Sequence, residues 1–249
     1  MSAGAHMDFT GSVALVTGAS RGVGRAVAAH LVRAGAQVVA AARTGAALDE
    51  LAAEAGAQCI PFVCDLTRGG DVARLADFVR RRWGRLDALV GNAAMMGPRA
   101  HVAQLEEADW LAVMDANVSA NWRLIHAFDP LLRAAPAGRA VFMTSGNGSR
   151  ARMAPGRGAY AISKAALDAL VRSYAAETLD SRVRAMLCNP GPLRTDMRAQ
   201  AAPDEDPAIL RTPDDFAPSL LRLCAASWTQ TGMLYDFPQD RVLSFGAPG

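Results

Sequence analysis

One lysine occurs in this 249-residue chain, Lys164, against 25 arginines. It stands four residues after a tyrosine, in the run Tyr160-Ala161-Ile162-Ser163-Lys164. Arginine is a planar fork that keeps its proton, whereas lysine is a compact point charge whose pKa moves with its surroundings. Residues four apart on a helix share a face, so a helix here sets the Lys164 ammonium beside the Tyr160 hydroxyl. A free phenol, with a pKa of about 10, holds its proton too tightly for exchange at neutral pH. A cation about 4 Å away at an effective dielectric near 20 favours the phenolate by roughly 4 kcal/mol. Tyr160 then becomes an acid/base usable near pH 7. The plain alternative is that both side chains face water.

The second stretch with chemical content is Gly18-Ala19-Ser20-Arg21-Gly22-Val23-Gly24. The apolar, β-branched run before it predicts a buried parallel strand over 12–17. An amphipathic pattern over 25–34, closed by Gly35, predicts a helix, and 37–42 reads as a second buried strand. Strand, glycine turn, helix and strand is the context a dinucleotide site requires. Gly18 permits the tight turn, Gly22 lets the backbone approach a pyrophosphate, and Gly24 lets helix and strand close up. The free N–H groups of the helix start then face the phosphates.

The elements that would position these two stretches alternate to the end of the chain. Helices are predicted over 46–55, 70–83, two stretches within 105–132, 160–180 and 213–226. Strands are predicted over 58–63, 86–91, 139–144, 183–188 and 231–237. Several strands end in polar or glycine-rich residues: Cys64-Asp65-Leu66, Asn92-Ala93-Ala94, Ser145-Gly146-Asn147-Gly148-Ser149 and Asn189-Pro190-Gly191-Pro192. Open α/β sheets place ligands there. With no composition break or internal repeat, residues 8–249 read as one domain with a doubly wound parallel sheet. Residues 1–7 read as a loose tail or an expression remnant. The acidic, proline-bearing segment near 203–215 reads as part of a mobile flap, or else as an ordinary surface loop.

Composition removes other classes. A net charge of +2 with scattered arginines argues against nucleic acid. Cys59, Cys64, Cys188 and Cys224 have no zinc spacing, so no metal is expected, and three of them sit in apolar runs like buried free thiols of a reducing, cytoplasmic compartment. No apolar run is long enough to span a membrane.

With these motifs in view, residues 8–237 or so resemble the short-chain dehydrogenase/reductases. Thr17-Gly18-x-x-x-Gly22-x-Gly24 is similar to that family's cofactor turn. Asp65, with Leu66, corresponds to its adenine-contacting acid, and Asn92-Ala93 falls in its Asn-Asn-Ala-Gly motif. Asn117, Ser145, Tyr160 and Lys164 match its catalytic tetrad, and Pro190-Gly191 with Thr195 its nicotinamide-side segment. The resemblance implies a seven-stranded parallel sheet and hydride transfer between a nicotinamide and a carbonyl or alcohol. Tyr160 would pass the proton, Lys164 would lower its pKa and hold the ribose, Ser145 would hydrogen-bond the developing oxyanion, and Asn117 would hold a water. A substrate flap over about 193–212 and a homodimer or homotetramer are also implied.

The chain departs from the pattern in places. Gly91 replaces the first Asn of Asn-Asn-Ala-Gly. Ser145 lies fifteen residues before Tyr160 instead of the usual thirteen, where Asn147 stands; Ser149 is a rival for the serine role. Cofactor choice rests on the end of the second strand. An acid there would grip the 2′-hydroxyl of NAD. Here Ala42 and Arg43 stand in that place and Arg21 in the turn, which suits the 2′-phosphate of NADP. The expected activity is NADP-dependent reduction of a carbonyl, such as a 3-oxoacyl thioester, a steroid-like ketone or a sugar, or the reverse oxidation. A nucleotide-binding sensor or scaffold that has lost turnover is the alternative, and consumption of NADPH with a ketone panel separates the two.

Overall fold

The computed structural model describes residues 7–146 and 155–245. Strands β1 (Val13–Thr17), β2 (Gln37–Ala42), β3 (Cys59–Val63), β4 (Ala88–Gly91), β5 (Arg139–Met143), β6 (Arg184–Asn189), β7 (Leu234–Asp236) and β8 (Arg241–Leu243) form one sheet. Their order is β3-β2-β1-β4-β5-β6-β7-β8. The first seven run parallel and β8 pairs antiparallel with β7. The expected seven-stranded parallel sheet is therefore present, with one hairpin strand added. Asp240, the sole non-glycine residue with positive φ (+46°) among those described, turns that hairpin. A two-strand hairpin of three-residue strands carries too little periodicity to be read from sequence.

Among the described residues, eight α-helices flank the sheet: α1 (Gly22–Arg33), α2 (Gly45–Ala55), α3 (Gly69–Trp83), α4 (Glu107–Met114), α5 (Ala120–Ala134), α6 (Gly158–Glu177), α7 (Asp196–Ala201) and α8 (Pro213–Cys224). Because successive strand side chains point to opposite faces, each central strand feeds two cores. Ala14 and Val16 of β1 join Val27, Leu31, Leu48 and Phe216 on the face covered by α1, α2 and α8. Val13 and Leu15 join Leu75, Phe128, Leu167 and Val171 on the face covered by α3, α5 and α6. Each such side chain taken out of water contributes about 1.5–3 kcal/mol. Met7, assigned to the tail by its sequence context, packs against the first core.

The strand order reverses between β1 and β4, so the connections after their C-terminal ends go to opposite faces and leave a crevice. Between α4 and α5 the chain makes one π-helical segment, Asp115–Ser119, which buries Asn117. Such bulges re-aim single residues within an otherwise regular helix. After β6, Leu193 bridges Arg211, Arg194 N–H donates to Arg211 O at 2.9 Å, and α7 lies between.

Candidate active site

The cleft at the C-terminal edge of β1, β4, β5 and β6 gathers most of the residues singled out in the sequence. At one end lies the glycine turn. Gly18 has φ +64°, and a Cβ there would meet Asn92 Nδ2 at 2.9 Å. A Cβ on Gly24 would meet Gly18 O at 2.4 Å and Asn92 Nδ2 at 2.6 Å. Asn92 holds this packing by donating from Nδ2 to Thr17 O at 2.9 Å. The Thr17 hydroxyl ties the β1 and β4 ends together, donating to Val90 O and accepting from the N–H groups of Asn92 and Ala93. Helix α1 begins at Gly22 with no side-chain cap and no acid in its first turn. Its N–H groups and dipole therefore face the cleft uncompensated, which is an anion site. Ser20 and Val23 line the same end.

Asp65 ends β3's extension and accepts at Oδ1 from Thr67 N and Oγ1, at 3.0 and 2.8 Å. Burial works to raise its pKa, but those hydrogen bonds and the Arg43 and Arg68 cations hold it below the usual carboxylate value. Leu66 follows it on the cleft wall and Arg43 faces water nearby. Arg21 pairs with Asp196 of α7 at 3.5 Å, with 75% and 69% of the two side chains exposed. An exposed pair of this kind contributes only about 0–1 kcal/mol, so a phosphate can displace the carboxylate. Where the motif lacks its first Asn, the Phe142 ring and Asn121 Oδ1 stand 2.4 and 2.6 Å from a Cβ on Gly91, and no side chain fits.

Helix α6 carries the chemical end. Tyr160 is half-buried and hydrogen-bonded to Ser145, which follows β5 by two residues. Burial pushes the phenol pKa up, with the Ser145 hydrogen bond and the Arg157 cation opposing it. The expectation that Lys164 would lower this pKa is not met. Lys164 is 2% exposed, donates from Nζ to Met143 O at 2.8 Å, and lies 5.7 Å from the centre of the Tyr160 ring. Desolvation brings the ammonium itself down to about 8, with Asp168 acting against that. The ammonium faces the end of β5.

Asn117 is fully buried. Its two Nδ2 protons go to Met95 O at 2.8 Å and Ser163 Oγ at 2.9 Å, and its Oδ1 accepts from Met95 N. The side chain thus ties α6 to the loop after β4. Pro190 and Gly191 lie at the β6 end. Asn189 Oδ1 accepts from Gly146 N and Gly191 N, and its Nδ2 donates to Asp236 Oδ1 at 2.5 Å. Thr195 caps α7 and faces Gly22 across the cleft. Asn147 and Ser149 lie outside the described residues.

Two participants were not singled out in the sequence. Asp168, 4% exposed, accepts from Thr144 Oγ1 at 2.5 Å, while its Oδ2 has no hydrogen-bond partner. Burial pushes its pKa up to about 6, against the Thr144 hydrogen bond and the Lys164 and Arg172 cations. Arg157 precedes α6 in the cleft wall. A signal existed for both: Asp168 is four past Lys164 and Arg157 three before Tyr160, all on one helical face. Among the described residues no cluster could hold a metal ion, no helix is long and apolar enough to cross a membrane, and all four cysteines are free and buried.

Comparison with known proteins agrees with this geometry. The family model described as short chain dehydrogenase matches residues 12–206. The oxidoreductase YciK of Escherichia coli K12 is 37% identical over 236 residues, covering 92% of both chains. The 3-oxoacyl-[acyl-carrier-protein] reductase FabG of Salmonella typhimurium is 29% identical over 204 residues, covering 82% of both. A short chain dehydrogenase from Shigella flexneri 2a, solved in complex with NADP, superposes with a TM-score of 0.88 at 35% identity, over 93% of this chain and 99% of its own.

Proposed function

This chain belongs to the short-chain dehydrogenase family, and on that premise we propose that it is an NADP-dependent oxidoreductase acting on a ketone or the matching secondary alcohol. The observation that carries the reading is the Ser145–Tyr160 hydrogen bond, with buried Lys164 one helical turn on, in the cleft that also holds the glycine turn. The cradle fits a dinucleotide: Gly18 and Gly24 leave no room for side chains, and α1 presents its bare N-terminus. Gly18, Ser20, Arg21, Gly22, Val23 and Gly24 would hold the pyrophosphate side, and Arg21 with Arg43 the 2′-phosphate. Asp65 and Leu66 would border the adenine, and Asn92, Ala93, Pro190, Gly191 and Thr195 the nicotinamide half. The relative from Shigella flexneri, solved with NADP, supports the choice of phosphate form.

When bound, the dinucleotide supplies or accepts the hydride. The chain's own residues handle the oxygen and the proton. Ser145 donates to the substrate oxygen as negative charge grows on it, a contact worth more in the transition state than in the ground state. Tyr160, kept protonated by its burial, gives its hydroxyl proton to that oxygen during reduction. Lys164 places a positive charge near the Tyr160 ring and, with its remaining donors, would hold the ribose. Asn117 fixes α6 against the Met95 loop and so keeps Tyr160 in register. The test is the loss of NADPH fluorescence with a panel of ketones, including 3-oxoacyl thioesters. Cofactor binding without consumption across the panel would favour a sensor.

A further inference from the structure

The cleft contains a cation that proton and hydride transfer leave unused. Arg157 is the residue before α6, half-buried, and it lines the cleft with Met95, Met96, Tyr160, Met197 and Ala201. Its guanidinium donates to two neutral acceptors, Ala201 O of α7 and, at 3.6 Å, Met96 Sδ. It takes part in none of the ion pairs formed among the described residues. Three other cations of the cleft have acids beside them. Arg198 is held by Glu205 through two bonds of 2.6 and 2.5 Å, Arg21 faces Asp196, and Arg194 lies in the field of Asp215. A partly desolvated guanidinium without a counter-charge is costly, and such groups are paired in use.

The wall around it is apolar and adaptable. Met95 and Met197 are each 37% exposed, and unbranched thioethers of this kind conform to irregular ligands. A carboxylate would meet the guanidinium fork with two parallel hydrogen bonds. The fork of Arg157 matches one carboxylate in shape as well as in charge.

Resting on the reductase reading, we propose that Arg157 receives a carboxylate of the substrate, so that the substrate is an oxo acid with an apolar body, or the corresponding hydroxy acid. In reduction the carbonyl carbon takes the hydride of NADPH, the carbonyl oxygen takes the Tyr160 proton, and the products are the hydroxy acid and NADP+. The carboxylate is unchanged throughout. Its arrival also offsets the Arg157 field at Tyr160, one of the two influences that oppose the upward push of burial on the phenol.

The test compares 4-oxopentanoate with its methyl ester as substrates for wild type, Arg157→Gln and Arg157→Lys. The quantity read is the acid-to-ester ratio of kcat/KM, so each variant is its own control for folding. Wild type should favour the acid by about tenfold or more, the range of a charge-assisted contact. Arg157→Gln should bring the ratio to about one through KM, and Arg157→Lys should restore part of it. A wild-type ratio near one, or a ratio unchanged in Arg157→Gln, overturns the proposal. A second arm needs no turnover: pentanoate and pentanamide are titrated into the protein–NADP+ complex by calorimetry. Tighter binding of the acid in wild type alone supports the receptor even if no ketone is reduced, in which case the reductase reading fails by itself. Ketone reduction with equal binding of acid and amide leaves the reductase reading standing and removes the receptor.

Discussion

At the scale of single residues, the surroundings of Lys164 decide what can replace it. Its Nζ is buried and donates to Met143 O. Arginine keeps the charge but is planar and forked. Lys164→Arg should therefore lose turnover by about a hundredfold or more, the scale of a lost electrostatic contact at the reacting centre. NADPH assays beside far-UV circular dichroism would check it; near-normal turnover in a folded variant would refute the role. Ser145→Ala should likewise cost about a hundredfold in turnover. Ser149→Ala should cost little, and collapse of the second variant alone would transfer the role to Ser149.

Asp168 makes a pH prediction. The groups facing it are Thr144 from the end of β5 and Lys164 and Arg172 on α6. Its folded pKa of about 6 lies above the ordinary carboxylate value of 3.8. The native state thus holds the proton more tightly than the unfolded chain does. The associated stability is fully present below about pH 4 and is lost as pH rises through about 6. Lys164 runs the other way: with its pKa lowered to about 8, its contribution is present above about 10.5 and lost as pH falls through 8. In urea unfolding, the advantage of wild type over Asp168→Asn should shrink between pH 4 and 6. A constant difference across that window would show that Asp168 titrates normally.

At the scale of elements, the start of α1 depends on how closely β1 and the helix approach. Gly24→Ala would drive a methyl into Gly18 O and Asn92 Nδ2. The expected cost is about 1–3 kcal/mol of stability, with weaker NADPH binding because the turn must shift. Gly70 in the first turn of α3 has nothing within 4 Å of a Cβ. Gly70→Ala should instead stabilise by about 0.4–1 kcal/mol through the unfolded chain and leave cofactor binding alone. Urea unfolding and NADPH titration of both variants check the contrast, and equal effects would mean the contact at Gly24 is not limiting.

At the scale of the whole molecule, the two ends of the cleft treat charge differently. Arg21, Arg43 and the N-terminus of α1 make the cofactor end attractive to phosphate. NADPH should bind more tightly than NADH, and Arg43→Ala should cost about 1.5–3 kcal/mol in NADPH affinity with little change for NADH. Titration at two salt concentrations would also show the preference shrinking as salt rises. Equal affinities for the two cofactors in wild type would remove the argument.

The sequence alone was enough for the alternation of strands and helices, because buried parallel strands and amphipathic helices have different hydrophobic periods. It singled out Gly18, Tyr160 and Lys164, which the fold brings to one cleft, and Gly24, which packs against Gly18. Element ends were legible to within a few residues: β2 runs over Gln37–Ala42 as read, while α1 begins at Gly22, inside the glycine turn. Tertiary structure alone decided the rest. Lys164 meets Met143 from another strand, Asn117 spends both N–H groups on Met95 and Ser163, and Arg21 finds Asp196 far along the chain. Those outcomes depend on which side chains a fold brings together and how much water it removes. Burial moved the pKa of Tyr160 opposite to the direction its lysine neighbour implied, since a local spacing fixes who is adjacent but not the dielectric in which they meet.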